Sequence, residues 1–136
     1  MSYRVHLDGR SFHIKKESIP AVLVALENVP VPWSNQTVAK VRRHAADWKD
    51  RAPWWQLHML LFECWGLGVV FDSEDNIKAV DLVVDVFLRD EVLYALAPFV
   101  WDGDHLDFHD EDGNHWRYVF AAGKCRRQQA KVVWED

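Results

Sequence analysis

Two alternating segments near the carboxyl end of the chain restrict its fold more than any other feature. In the first, Leu106 and Phe108 must share one face of a strand. In the second, the same holds for Trp116, Tyr118 and Phe120. Residues directly opposite each other in an antiparallel pair share a face, so a register that pairs Phe108 with Trp116 satisfies both sets. It also places Leu106 opposite Tyr118, and the pattern therefore predicts an antiparallel hairpin.

This hairpin is the first part of a predicted β-meander. Residues 110–114, with the sequence Asp-Glu-Asp-Gly-Asn, form its five-residue loop, and the glycine stands where such a loop needs one. Ala122-Gly123 then turns the chain into a last strand that ends near Trp134.

The upstream sequence mixes strand and helix patterns. Residues 3–7 alternate apolar and polar side chains from Tyr3 onward, and Asp8-Gly9 is typical of the turn of a hairpin that returns along residues 12–15. Further segments are predicted as helices (18–28, 37–49, 54–65 and 91–97) and as strands (67–72 and 77–88). The prediction is one α+β domain over residues 1–136: an antiparallel sheet with a C-terminal β-meander, and three or four helices packed on one face.

The composition agrees with one globular domain. Of 136 residues, 49% are hydrophobic, and each of the eight Trp can remove about 150–250 Å² from water when buried. The start has no apolar export signal, no run of about 18 apolar residues exists, and the two cysteines lack the spacing of a disulfide framework or zinc site. We therefore expect a cytoplasmic protein with no cofactor and no membrane partner.

Acidic residues concentrate in one part of the chain. Residues 72–115 hold thirteen acids and two bases, whereas the rest holds eight acids and fourteen bases. A surface of one sign can steer a partner of opposite charge, and an exposed tryptophan beside it can anchor that partner. Solubility alone is the competing interpretation. The residues predicted to face outward and contact a basic partner are Asp81, Asp85, Trp101, Asp102, Asp104, Asp107, Asp110, Glu111 and Asp112, with Trp33 and Trp55 as further candidate anchors.

The outer face of the hairpin suggests a different kind of site. The register places His105, Asp107 and His109 on the solvent side of one strand, with His115 opposite His109. Imidazole and carboxylate groups two residues apart can converge on a divalent metal such as zinc. The competing interpretation is a polar face on which Asp107 forms an exposed ion pair with Arg117.

Other catalytic and nucleic-acid signatures are weak. Cys64 lies in an apolar segment, where a thiol stays protonated, while basic neighbours could lower the pKa of Cys125. No base can be placed beside Cys125, so nucleophilic catalysis has little support. The basic clusters within residues 40–44 and 124–131 do not give the balance of a nucleic-acid backbone binder, since the net charge is −5. Direct nucleic-acid binding is not expected.

The tail resembles a known group of sequences. Residues 111–120, which carry the motif Glu-Asp-Gly-x-x-Trp-Arg-x-x-Phe, together with residues 96–100 and Gly103, resemble a family of small bacterial and phage proteins. Those proteins similarly begin with a Tyr-x-Val strand and an early helix, so the resemblance covers roughly the first 28 residues and the part after Gly66. The family has no assigned activity, and the resemblance implies no site residue.

Three hypotheses for the function follow. We favour a non-enzymatic binding protein, an inhibitor of the immunity or anti-CRISPR type, that presents the acidic residues to a basic partner such as a nuclease or toxin. The alternative is a small metal-dependent hydrolase or nuclease that uses His105, Asp107, His109 and His115. The third is an obligate dimer that buries its tryptophans between two copies.

Overall fold

The computed structural model describes residues 5–32, 35–45, 47–82 and 90–130. Over these ranges the α-helices are α1 (Ile19–Ala25), α2 (Val38–His44), α3 (Pro53–Trp65) and α4 (Asp90–Leu96). Two short 3-10 helices occupy Lys16–Ser18 and Ala97–Phe99. The strands are β1 (Val5–Ile14), β2 (Leu67–Phe71), β3 (Ile77–Leu82), β4 (His105–Asp110), β5 (His115–Ala121) and β6 (Lys124–Gln129).

These six strands form one antiparallel sheet in the order β2-β3-β1-β4-β5-β6. The last three follow one another as a C-terminal meander. Phe108 pairs with Trp116 and Leu106 pairs with Tyr118, which is the register that the alternation predicted. The predicted α+β class, the antiparallel sheet and the meander are confirmed.

The hydrophobic core lies between the helices and one face of the sheet. Burial alternates along β4, where Leu106 and Phe108 are buried and join Leu60 of α3 in the core cluster. Pro53 stands in the first turn of α3, where its missing N–H costs nothing. The helix ends at Gly66, whose φ of 71° is left-handed and lets the chain turn directly into β2. Among the described residues, no helix has the length and apolar character needed to cross a bilayer.

The predicted amino-terminal hairpin is wrong, because β1 is a single strand of 10 residues. Asp8-Gly9 does not turn the chain. The pairing of β1 with β4 shifts by one residue between Leu7 and Gly9, so the extra residue forms a bulge. An Asp-Gly pair suits a bulge as well as a turn, since glycine tolerates the irregular backbone of both. As one long strand, β1 takes the central place between β3 and β4.

The second helix is shorter than predicted, and some predicted strand ends lie outside the described residues. α2 ends at His44 because the next residue, Ala45, leaves the helical conformation with a ψ of 75°. Trp48 then packs edge-on against Trp55 of α3, with ring centroids 5.8 Å apart. The predicted continuation of β3 to residue 88, the last strand's end near residue 134 and the first residues of β1 fall outside the described ranges.

Candidate functional site

The outer face of β4 and β5 has the arrangement that the sequence predicted. Asp107 pairs across the strands with Arg117, and His109 pairs with His115. Arg117 Nε donates to Asp107 Oδ1 at 2.6 Å, and its Nη2 donates to Oδ2 at 3.2 Å. His105 Nδ1 lies 3.1 Å from Asp107 Oδ1. The ion pair, which was the competing interpretation of this face, is therefore formed.

The predicted metal site at His105, Asp107, His109 and His115 is not assembled. Across the ranges that the structure describes, no group of three His, Cys, Asp or Glu side chains could hold a metal ion. The His109 ring instead stacks between two others, with centroids 4.8 Å from His6 and 5.6 Å from His115. Stacked rings turn their faces to one another, whereas a metal needs ring nitrogens that converge on one point. The hydrolase alternative therefore has no ligand set in this part of the chain.

The ion pair changes the acidity of Asp107. Burial opposes the ionisation of its carboxyl, but the hydrogen bonds and charges of Arg117 and His105 outweigh burial and lower the pKa. Asp107 is thus an ionised residue whose charge is already matched inside the molecule, and this reduces what it can offer to a partner.

Replacing Asp107 with Asn should make stability less dependent on pH in acid. Because folding holds the pKa of the Asp107 carboxyl below its ordinary value of about 3.9, the ionised carboxyl stabilises the fold at pH values above about 3.9. This contribution is lost as the pH falls through the folded-state pKa. We expect the gap in free energy of unfolding between wild type and Asp107→Asn to be constant near neutral pH and to shrink below about pH 4. Urea unfolding followed by circular dichroism measures this gap.

The matched control for this prediction is Arg117→Gln, which removes the partner and keeps the carboxylate. In the Arg117→Gln background, adding Asp107→Asn should change the free energy of unfolding by less, because removing the guanidinium removes much of the pKa shift of Asp107. A gap that stays constant from pH 7 to about pH 2 would contradict the lowered pKa of Asp107.

Two carboxylates predicted to face outward are buried. Asp104 is 5% exposed and Asp110 is 4% exposed. Asp110 Oδ1 accepts a hydrogen bond from the backbone N–H of Asp112 at 3.0 Å and so helps to close the β4–β5 turn. Asp104 accepts from Ser11 Oγ at 2.8 Å and from the backbone N–H of His13 at 2.6 Å. The outward prediction is wrong for both because turns and strand ends leave backbone donors that a buried carboxylate can satisfy.

The exposed members of the predicted surface lie at opposite ends of β4. Trp101 and Asp102 precede the strand, Glu111 and Asp112 follow it, and all four are exposed. A strand of 6 residues is about 20 Å long, so the two pairs do not lie side by side. These four predicted contact residues therefore form two separate exposed groups.

The remaining predicted residues divide as follows. Asp81, in β3, is half-buried, and Asp85 lies outside the described residues. Among the candidate anchors, Trp33 also lies outside them, and Trp55 is half-buried with the Arg51 guanidinium 5.0 Å from its ring centroid. Trp101 is 49% exposed. Of the two described candidates, Trp101 is the one whose exposure fits the predicted anchor.

Trp101 lines a surface cleft of about 540 Å³ at one edge of the sheet. The carboxyl end of β1, the β2–β3 turn and the amino end of β4 meet there, because antiparallel pairing brings these points to the same edge. The residues that line the cleft are His13, Lys15, Glu17, Asp72, Glu74, Asn76, Ile77 and Trp101. Among them, three carboxylates outnumber one ammonium group.

Hydrogen bonds hold the walls of this cleft together. The backbone N–H of Lys16 donates to Asn76 Oδ1 at 3.0 Å, which joins the end of β1 to the β2–β3 turn. The backbone N–H of Trp101 donates to the carbonyl of His13 at 3.2 Å, and the two rings stack with centroids 4.5 Å apart and planes 13° apart. His13 Nδ1 lies 3.1 Å from each carboxylate oxygen of Asp104. The indole is therefore fixed from below by a ring that is itself held by a buried carboxylate.

Asp72 shapes the opposite wall and stays ionised. Its Oδ1 accepts from the backbone N–H groups of Glu74 at 2.8 Å and Asn76 at 3.0 Å. Desolvation opposes ionisation of the carboxyl, but these hydrogen bonds and the charge of Lys78 outweigh it and lower the pKa of Asp72. The cleft therefore keeps this negative charge at neutral pH.

Sequence reasoning identified Trp101 but missed the residues around it. His13 and Glu17 stand four residues apart, but Glu74 follows almost sixty residues later, and no motif joins the three. What they share is a position next to a strand end, which becomes informative only when the pairing of β1 with both β3 and β4 is known. The incorrect amino-terminal hairpin concealed that pairing.

The thiols do not form a second candidate site. Burial and, as the smaller cause, the charge of Glu63 raise the pKa of Cys64 to about 11. Burial, together with the charge of Asp90, also raises the pKa of Cys125 to about 11. The prediction that basic neighbours lower the pKa of Cys125 is therefore wrong, since this side chain packs against the core and a carboxylate lies near it.

Comparisons with known proteins add no relationship. No family model, curated protein or solved structure matches the chain. The likeness of residues 111–120 to small bacterial and phage proteins stays a resemblance, and the cleft has to be judged on its own geometry.

Proposed function

We propose that this protein is a non-enzymatic binding protein and that it receives a basic protein partner in the cleft beside Trp101. The observation that carries this proposal is the half-exposed indole, fixed on His13 next to three carboxylates. Tryptophan is enriched among the residues that dominate binding energy at interfaces, where it serves best when already held in its bound conformation.

The charge of the cleft supports a basic partner. Glu17 and Glu74 are exposed, and Asp72 is kept ionised by its hydrogen bonds, whereas Lys15 is the single Lys or Arg side chain of the lining. Complementary charge speeds association and rejects partners of the same sign. A nuclease or toxin with a positively charged nucleic-acid groove has the required chemistry, and inhibition by occupying that groove is the form of action we propose.

Removing negative charges from the cleft should weaken binding to a basic probe much more than removing the exposed negative charges at the far end of β4. The probe is a short fluorescent peptide that contains both arginine and lysine, measured by anisotropy at low salt. For Glu17→Gln/Glu74→Gln we expect Kd to rise about tenfold, which corresponds to about 1.4 kcal/mol, with a weaker dependence on salt. The matched control is Glu111→Gln/Asp112→Asn, which removes two exposed charges beyond the far end of β4. It should change Kd by less than about twofold.

The outcomes of this comparison are distinct. Equal losses of affinity in the two double variants would mean that only the net charge of the protein attracts the probe. The cleft would then not be the binding site. Binding that does not weaken as salt rises would exclude an electrostatic partner altogether.

A further inference from the structure

The indole of Trp101 offers one free aromatic face. Its other face is covered by the parallel His13 ring at 4.5 Å, so the exposed half of the side chain consists of the remaining face and the ring edges. The face of an indole is electron-rich and attracts cations, more strongly than that of any other side chain.

This ring is positioned before any ligand arrives. The segment before β4 is joined to β1 by the hydrogen bond from Trp101 N–H to the His13 carbonyl, and Asp104 N–H donates to the Trp101 carbonyl at 3.2 Å. Asp104, buried beneath, holds both the backbone and the ring of His13. A cation that stacks on the indole therefore does not have to order it first, which removes one cost of binding.

Carboxylates line the same cleft as this ring. Glu17 follows β1 and Glu74 lies in the β2–β3 turn, and both are exposed. Asp72 is occupied by the backbone donors of its own turn, so it contributes charge more than new hydrogen bonds. A volume of about 540 Å³ is ample for one long side chain and its water.

The two cations of proteins use such a site differently. A guanidinium group is planar and weakly hydrated, so it can lie flat on an indole while its N–H donors point in its own plane toward carboxylates. An ammonium group is compact and strongly hydrated and offers no flat surface, so it loses more water to make the same contacts. A flat aromatic face that shares a cleft with carboxylates thus favours guanidinium.

We propose that the cleft binds an arginine side chain, with the guanidinium stacked on the free face of Trp101 and hydrogen-bonded to Glu17 and Glu74. The inference rests on the proposed function, because it names the group through which a basic partner is recognised. Lysine at the same position of the partner binds more weakly.

Two peptides of equal length and charge test this, one with arginine and one with lysine at every basic position. We expect the wild-type protein to bind the arginine peptide about tenfold more tightly, in isothermal titration calorimetry at moderate salt. Trp101→Leu, which keeps an apolar cover on His13 but has no aromatic face, should bind both peptides equally. The matched control is Phe62→Leu, an exposed aromatic residue of α3 that does not line the cleft, and it should retain the preference.

Each result has one meaning. Equal affinities in the wild type, or a preference that survives in Trp101→Leu, would overturn arginine recognition and leave a basic partner in place. Failure of both peptides to bind would overturn the proposed function and this inference together. Urea midpoints and circular dichroism spectra of the variants show whether each retains the fold, and Trp101→Phe, which restores an aromatic face, should recover part of the preference.

Discussion

Replacing Asp104 with Ala is expected to lower the free energy of unfolding by about 3 kcal/mol or more. The carboxylate is almost completely buried and accepts hydrogen bonds from Ser11 Oγ and from the backbone N–H of His13. Without it, the partly buried backbone N–H of His13 loses its partner, and hydrogen bonds to a charged group are stronger than those between neutral groups. Urea unfolding followed by circular dichroism, with the slope compared between variants, gives the measurement.

The control for this prediction is Asp112→Ala, a loss of the same side chain at an exposed position of the β4–β5 turn. Its effect should stay within about 0.5 kcal/mol, as for most surface substitutions. If the two variants lost similar stability, Asp104 would be an ordinary surface charge, as the sequence predicted.

The Asp104 variant also links the fold to the cleft. Asp104 orients His13, and His13 supports the Trp101 ring, so the same substitution should weaken binding of the arginine peptide at temperatures where the variant is folded. Asp104 thereby acts on a partner through other residues, although the sequence suggested that it contacts the partner directly.

The sequence was most informative where side chains alternate and least informative where a residue type has two uses. The pairing of Phe108 with Trp116 followed from one rule, that a register error moves every side chain to the other face. No comparable rule separates a turn from a bulge at Asp8-Gly9, since glycine suits both. The local pattern alone therefore could not place β1 at the centre of the sheet.

The charge of a single residue was equally ambiguous as an indication of its exposure. Aspartate at or next to a strand end is typically solvated, yet Asp104, just before β4, and Asp110, its last residue, are both buried. The difference depends on which hydrogen-bond donors lie nearby in three dimensions. For Asp104 these donors are Ser11 Oγ and the backbone N–H of His13, which belong to β1, about ninety residues earlier in the chain. Trp101 could be proposed as an anchor from sequence, but its acidic surroundings required the tertiary fold.

Replacing Phe120 with Ala should produce the largest loss of stability among the substitutions considered, about 3–5 kcal/mol. Phe120 is completely buried in β5 and packs edge-on against Phe12 of β1, with ring centroids 5.4 Å apart. Truncation removes the transfer free energy of the ring and leaves a cavity that rigid strands cannot close. For a domain whose total stability is about 5–15 kcal/mol, this is a large fraction, and the midpoint of urea unfolding should fall accordingly.

A graded series separates packing from other causes. Phe120→Leu keeps most of the volume and should cost less than about 1.5 kcal/mol. Val24→Ala, at a position 62% exposed on α1, should stay within about 0.5 kcal/mol, since it removes little buried surface and alanine favours the helix. If Phe120→Ala cost no more than Val24→Ala, β5 would not pack against β1 and the helices as the structure places it.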